Sequence, residues 1–291
     1  MAAPTTVAAR GTETMSDLWM TIRTAFLGEE YQPFASEGTA PAFLMIHGFL
    51  GSPAEWRPIA MALHERGHHV LAPLLPGFGS SIEELPHVRL EDWEDDLRRA
   101  AATLTSFQSV IVVGFSLGGA LALILAAHFQ PSHVVLLAPF SRLALPAGYR
   151  ILLPILARLG GGPRPFARTD FDDPSVQQAL SGWNPLLDLR NPTIRNQLRE
   201  VRLPWHLLHQ LARTASEARK AGEAVRCPVT IIHGVDDDTV PLKDTEHLLT
   251  RFHTHVRLER VAGNHQLVRP DHPSFPLVLQ RLTELGEAYR P

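Results

Sequence analysis

Two apolar runs, Val110-Ile111-Val112-Val113 and Ala120-Leu121-Ala122-Leu123-Ile124-Leu125, flank the pentapeptide Gly114-Phe115-Ser116-Leu117-Gly118. The first run has strand character and the second is long enough for a buried helix, so a tight turn with serine at its apex must join them. Glycines on either side let strand and helix approach closely, which leaves Ser116 in a strained backbone conformation with its hydroxyl presented outward. The N-terminus of the following helix points its free N–H groups at that hydroxyl, where they favour developing negative charge.

The rest of the chain supplies a matching framework. Phe43-Leu44-Met45-Ile46, Val70-Leu71-Ala72, His133-Val134-Val135-Leu136-Leu137, Val229-Thr230-Ile231-Ile232 and Val256-Arg257-Leu258-Glu259-Arg260-Val261 read as strands. The continuous apolar runs among them suit parallel strands buried on both faces. Between them the spacing predicts helices over 54–66 (Ser52 as N-cap, Pro53 first, Gly67 as stop), over 90–104, after the serine turn, over 243–252 and after Pro276. Leu90, Trp93, Leu97, Ala100 and Leu104 recur at helical spacing with charges between them, an amphipathic surface helix. The alternation lapses between about Ser141 and Arg226, a stretch with eight prolines and Gly160-Gly161-Gly162. An α/β series interrupted once and then resumed implies a doubly wound, mostly parallel sheet with an inserted helical cap. The expected organisation is a disordered N-terminus over 1–16, a core over 17–140 and 227–291, and a cap over 141–226.

Composition narrows the partners. At 291 residues and 45% hydrophobic the chain can bury one substantial core with a small insertion. Near balance between 27 basic and 30 acidic residues gives no argument for nucleic acid. The single cysteine, Cys227, excludes an internal disulfide and fits a reducing compartment; before Pro228 at a strand start it reads as a small buried side chain. No run has the length of a transmembrane helix, and residues 1–10 lack the apolar segment of a secretory signal. A cytoplasmic protein without stable membrane insertion is expected, with Met15 as an alternative start. The sequence leaves its oligomeric state open.

Strand, glycine-flanked serine and helix together resemble the nucleophile elbow of the α/β-hydrolase superfamily, in its serine hydrolase branch. The resemblance implies a serine–acid–histidine triad in that chain order, each member at the carboxyl end of a strand, and no cofactor. His233-Gly234-Val235-Asp236-Asp237-Asp238-Thr239-Val240-Pro241 resembles the family pattern H-G-x-x-D-x-x-V-P, which places the acid at Asp237, with Asp236 as the alternative. Past the last strand, Val261-Ala262-Gly263-Asn264-His265 offers His265 as the base. The family more often has glycine where Asn264 stands; asparagine also tolerates a left-handed turn. His272, the other histidine beyond that strand, precedes a proline at a helix entry. His47-Gly48-Phe49-Leu50-Gly51-Ser52 resembles the family's oxyanion loop, so the backbone N–H groups of Phe49 and Leu117 are the expected oxyanion donors, with His47 fixing the loop.

His64-Glu65-Arg66-Gly67-His68 matches the zinc motif H-E-x-x-H, but Gly67 should end the helix between the two histidines, so no metal site is expected.

A serine nucleophile directs expectation to acyl transfer to water, and fold alone does not choose the substrate. The cap carries apolar clusters at 151–156 and 203–208, with Trp183 and Phe166, which suit an acyl chain or simply pack the cap onto the core. From Arg142 to Arg226 there are thirteen basic and seven acidic residues, a bias that could attract a carboxylate or an anionic lipid surface, or be a solvated face. The helix at 203–224 running into Cys227-Pro228-Val229 resembles bacterial carboxylesterases and monoacylglycerol lipases, implying short- to medium-chain esters or monoglycerides as small-molecule substrates. The loop 47–52 followed by Trp56, with Leu75-Pro76-Gly77-Phe78-Gly79-Ser80, also resembles the menaquinone-pathway lyase that uses the same triad. That family usually has an arginine where Ala120 stands. Carbon–carbon hydrolases and a non-catalytic binding protein on the same fold complete the alternatives.

Overall fold

The structure is a computed structural model that describes Met20, residues 22–184 and residues 186–291. The expectations for residues 1–16 and for Met15 fall outside the described residues.

Seven strands form one sheet: β1 (Phe34–Ser36), β2 (Thr39–Ile46), β3 (His68–Ala72), β4 (Val110–Phe115), β5 (His133–Leu137), β6 (Val229–Gly234) and β7 (Val256–Val261). Their order is β1-β3-β2-β4-β5-β6-β7, parallel throughout except for β1, which runs antiparallel to β3. The chain winds outward in one direction through β3 and in the other through β4 to β7, so the carboxyl ends of β2 and β4 meet at the switch point, where α/β sheets hold their ligands.

The apolar runs are continuous because the sheet is covered on both faces. Ala42, Leu44, Ile46, Val112, Val134 and Leu136 face one core with the helices α2 (Leu90–Ala102), α3 (Leu117–Phe129) and α7 (Trp205–Ala224). Phe43, Met45, Ile111, Val113, Val135 and Leu137 face the other, with α1 (Arg57–His64) and α9 (Phe275–Ala288). Each such buried Val, Leu or Phe contributes about 1.5–3 kcal/mol. Helix α3 is buried at every position from Leu117 to Ala126, because α2 and α7 cover the sides the sheet leaves open.

Most boundaries fall within a few residues of the sequence expectation. The segment from Pro53 starts as a 3-10 turn over Pro53–Trp56 and becomes α1 at Arg57; Ser52 caps it by accepting from the Ala54 N–H at 3.3 Å. His64 ends α1, whereas His68 begins β3 beyond Gly67, whose φ is 86°. Cys227 is half-buried and its thiol is pushed up to about 11 by burial, leaving it protonated.

Between β5 and β6 the chain forms α4 (Ala147–Leu159), α5 (Pro174–Trp183), α6 (Pro192–Glu200) and α7 before α8 (Leu242–Leu249) follows β6. Two prolines there start helices rather than interrupt them. Pro174 and Pro192 each occupy a first helical position, behind Asp173 and Asn191, whose side chains accept from Ser175 N–H (2.8 Å) and Thr193 N–H (2.9 Å). Among the described residues no helix is long and apolar enough to cross a membrane.

Candidate active site

Ser116 sits between β4 and α3 with φ 52° and ψ −114°, a conformation disfavoured for a residue with a Cβ. The surroundings hold it there. Its N–H donates to the Leu137 carbonyl at 2.9 Å, and its own carbonyl accepts from the N–H groups of Gly119 (3.0 Å), Ala120 (3.2 Å) and Phe140 (2.9 Å).

Three side chains separated by up to 149 positions then meet. Ser116 Oγ lies 2.9 Å from His265 Nε2, and His265 Nδ1 lies 2.7 Å from Asp237 Oδ2. A carboxylate can only accept, so the neutral imidazole carries its proton on Nδ1 and turns the Nε2 lone pair toward the serine hydroxyl. The Phe115 ring lies against the imidazole, with centroids 5.0 Å apart. All three residues are buried, with exposures of 8%, 7% and 8% for Ser116, His265 and Asp237.

The three aspartates separate cleanly. Asp236 and Asp238 are exposed, whereas Asp237 turns inward. Its Oδ1 accepts from Thr239 N–H (3.0 Å) and Val240 N–H (2.8 Å), which fixes the carboxylate plane and leaves Oδ2 for the imidazole. His233 buttresses the same loop. Its Nε2–H donates to the Val240 carbonyl at 2.9 Å and its Nδ1 accepts from Thr245 Oγ1 at 2.9 Å, while burial lowers its pKa and favours the neutral ring. This supporting role was not legible in the sequence, where His233 served only as part of a pattern.

The turn before His265 differs from expectation. Gly263, at φ 109°, takes the left-handed position, and Asn264 instead accepts from Gln266 N–H at 3.0 Å through its side chain. His272 lies at the entry to α9, its Nδ1 accepting from Ser274 N–H at 3.1 Å.

The loop after β2 faces the serine: a Cβ on Gly48 would stand 3.5 Å from Ser116 Cβ. His47 is fully buried, and that burial lowers its pKa to about 4. The neutral ring donates from Nδ1 to the Gly48 carbonyl at 2.9 Å and accepts at Nε2 from Leu75 N–H at 3.1 Å. Gly48 N–H is held by Glu55 Oε2 at 3.0 Å. The Phe49 N–H has no partner among the described residues, and Leu117 is the first residue of α3, where helix geometry supplies no acceptor for its N–H.

Comparison with known proteins identifies the fold family. Over 255 residues the chain is 26% identical to a thermostable monoacylglycerol lipase of Bacillus sp. (strain H-257), spanning 87% of this chain and 93% of that protein. A carboxylesterase of Bacillus subtilis (strain 168) is 38% identical over 94 residues, 32% of this chain and 38% of the relative. A solved structure of a metagenome-derived lipolytic enzyme superposes with a TM-score of 0.67 at 20% identity, over 90% of this chain and 99% of the other. Residues 41–265, from the third residue of β2 onward to the imidazole that faces Ser116, match the model of the alpha/beta hydrolase fold, and the chain belongs to that family.

Proposed function

We propose that the protein is a serine hydrolase of carboxylic esters, acting on short- to medium-chain acyl esters or monoglycerides through an acyl-enzyme. The observation that carries this reading is the continuous Ser116–His265–Asp237 hydrogen-bond chain, at 2.9 and 2.7 Å. A serine hydroxyl is a weak nucleophile until a base takes its proton, and a base is useful only when a third group fixes its tautomer. As Ser116 Oγ bonds to the ester carbonyl carbon, its proton passes to His265 Nε2. The imidazolium so formed is stabilised by Asp237, and the carbonyl oxygen becomes anionic beside the N–H groups of Phe49 and Leu117. Collapse breaks the bond to the alcohol, which leaves with the proton from Nε2. Water then repeats the sequence on the acyl-serine, releasing the carboxylic acid and restoring the hydroxyl.

The helices α4 to α7 act as a cap over this centre. Phe166, Trp183, Leu187 and Leu203 of that segment pack on the apolar core, which seats the segment on the body of the protein. The relatives named for lipase and carboxylesterase activity support the same substrate class.

A fluorophosphonate should label Ser116 and no other serine. Ser116→Ala should lower p-nitrophenyl butyrate hydrolysis by about 10³-fold or more. Hydrolysis retained in that variant would remove the assignment. Activity on vinylogous diketo acids exceeding that on simple esters would instead select the carbon–carbon hydrolase or lyase chemistry.

A further inference from the structure

The turn that carries Phe49 is held from a distant part of the chain. Gly51 N–H donates to the Gly48 carbonyl at 3.1 Å, closing a four-residue turn with Phe49 and Leu50 at its centre. Leu50 has φ 58°, a left-handed conformation that a branched side chain rarely adopts. Such a conformation persists only where the surroundings over-determine it. Two of the restraints are local: Glu55 holds the Gly48 N–H, and the His47 ring holds the Gly48 carbonyl. The third comes from 133 positions downstream. Trp183, the last residue of α5, donates its indole N–H to the Leu50 carbonyl at 2.8 Å.

Trp183 is itself seated. Its ring packs on Phe26 with centroids 6.1 Å apart, and the buried side chain of Asn184 donates to the Ile22 carbonyl at 3.2 Å. The end of α5 is therefore docked on residues 22–26 and, through one hydrogen bond, on the strained residue immediately after Phe49. The Leu50 carbonyl shares its peptide plane with the Gly51 N–H, and that N–H bonds to the Gly48 carbonyl, whose plane carries the Phe49 N–H; fixing the Leu50 carbonyl therefore limits rotation of the Phe49 N–H through the turn's own hydrogen bond.

We propose that Trp183 is a positioning residue for oxyanion stabilisation: its indole N–H pins the Leu50 carbonyl, so the Phe49 N–H is aimed at the reacting oxygen only while α5 is seated. This rests on the serine-hydrolase reading and on Phe49 as an oxyanion donor. Trp183 touches neither nucleophile nor base in this scheme. It makes the hole a property of the seated cap, and a cap displaced from residues 22–26 leaves the triad intact but the oxyanion poorly held. The chemistry then waits for closure over the substrate.

Trp183→Phe keeps an aromatic ring against Phe26 and removes the donor. The kcat for p-nitrophenyl butyrate should fall about 10- to 100-fold, somewhat less than outright loss of an oxyanion donor, with KM changed less than threefold. Affinity for a trifluoromethyl ketone should weaken by the same factor as kcat/KM, since its serine adduct places an oxyanion in the hole. The midpoint of the pH–rate profile should not move, because His265 keeps its partners. Replacement of Trp183 by 3-benzothienylalanine, which exchanges the N–H for sulfur at nearly constant shape, should reproduce the loss while keeping the thermal midpoint of the wild type.

An unchanged kcat and unchanged ketone affinity in both variants would overturn the coupling, as would a loss confined to KM, which would make Trp183 a substrate contact. Wild-type protein inert to fluorophosphonate would instead overturn the catalytic reading on which the coupling stands.

Discussion

A Cβ on Gly114 would overlap the carbonyl oxygen of Gly118, four residues later across the serine turn. The end of β4 and the first turn of α3 are in backbone contact at that point, and a Cβ on Gly118 would in turn overlap the carbonyl oxygen of Ile46 on β2. The apex serine is thus fixed by backbone packing on both sides. Gly114→Ala must push strand and helix apart and should destabilise the fold by about 1–3 kcal/mol, as overpacking does. Urea unfolding would measure this, and fluorophosphonate labelling of Ser116 should slow in the folded variant. Labelling at the wild-type rate would show that the close approach does not position the hydroxyl.

Asp237→Asn tests the proposed orienter without removing bulk. The amide oxygen can still accept from Thr239 and Val240. The NH₂ then faces His265 Nδ1 and can only donate, which forces the imidazole proton onto Nε2 and disables the base. The expected result is a kcat loss of about 10⁴-fold with little change in KM or folding stability. A loss under tenfold would reassign the orienting role.

Glu55 gives a pH signature of unusual sign. Burial raises its carboxyl to about 7, although the Gly48 N–H pulls the other way. The folded state therefore holds a proton that the unfolded chain, with an ordinary value near 4.5, has released. Stability contributed by this group is present below pH 4.5 and is lost as pH rises through about 7. Glu55→Gln keeps an acceptor for Gly48 and carries no charge. Relative to wild type it should gain of order 2–3 kcal/mol between acidic and mildly alkaline pH. Chemical denaturation at pH 5 and pH 8 would measure the difference; equal offsets at both would show that Glu55 ionises freely in the fold.

Helix α4 makes the same kind of contrast by packing. Ile151, Ile155 and Leu159, at 79%, 54% and 76% exposure, face outward, whereas Leu153 is 2% exposed. Ile151→Ser and Leu159→Ser should change stability by less than about 0.5 kcal/mol, and Leu153→Ala should cost about 2–4 kcal/mol. Thermal or urea unfolding of the three variants decides it, and a comparable cost at Ile151 would place that face in contact with other parts of the molecule.

How much of this was legible in the sequence followed from how local each signal is. The parallel strands stood out because residues of β2, β4 and β5 feed both cores, which leaves no polar alternation to blur the runs. Ser116, Asp237 and His265 could be placed because each follows a strand end. The antiparallel edge strand β1 was missed: three residues carry no periodicity, and its existence depends on pairing with β3 some 36 positions away. Pro154 lies inside α4, while Pro174 and Pro192 open α5 and α6, so a proline count could not locate the helices between β5 and β6. The Trp183–Leu50 bond joins segments 133 positions apart and leaves no mark in either.

The two partners of Ser116 lie at positions 237 and 265, beyond the helices α4 to α7. On a ribosome the alcohol would be made early and would stay chemically dormant while more than a hundred further residues are added. Reactivity under the proposed mechanism is switched on only once residue 265 has been added and has folded into place, so a product terminated before it would carry its nucleophile without any means to use it.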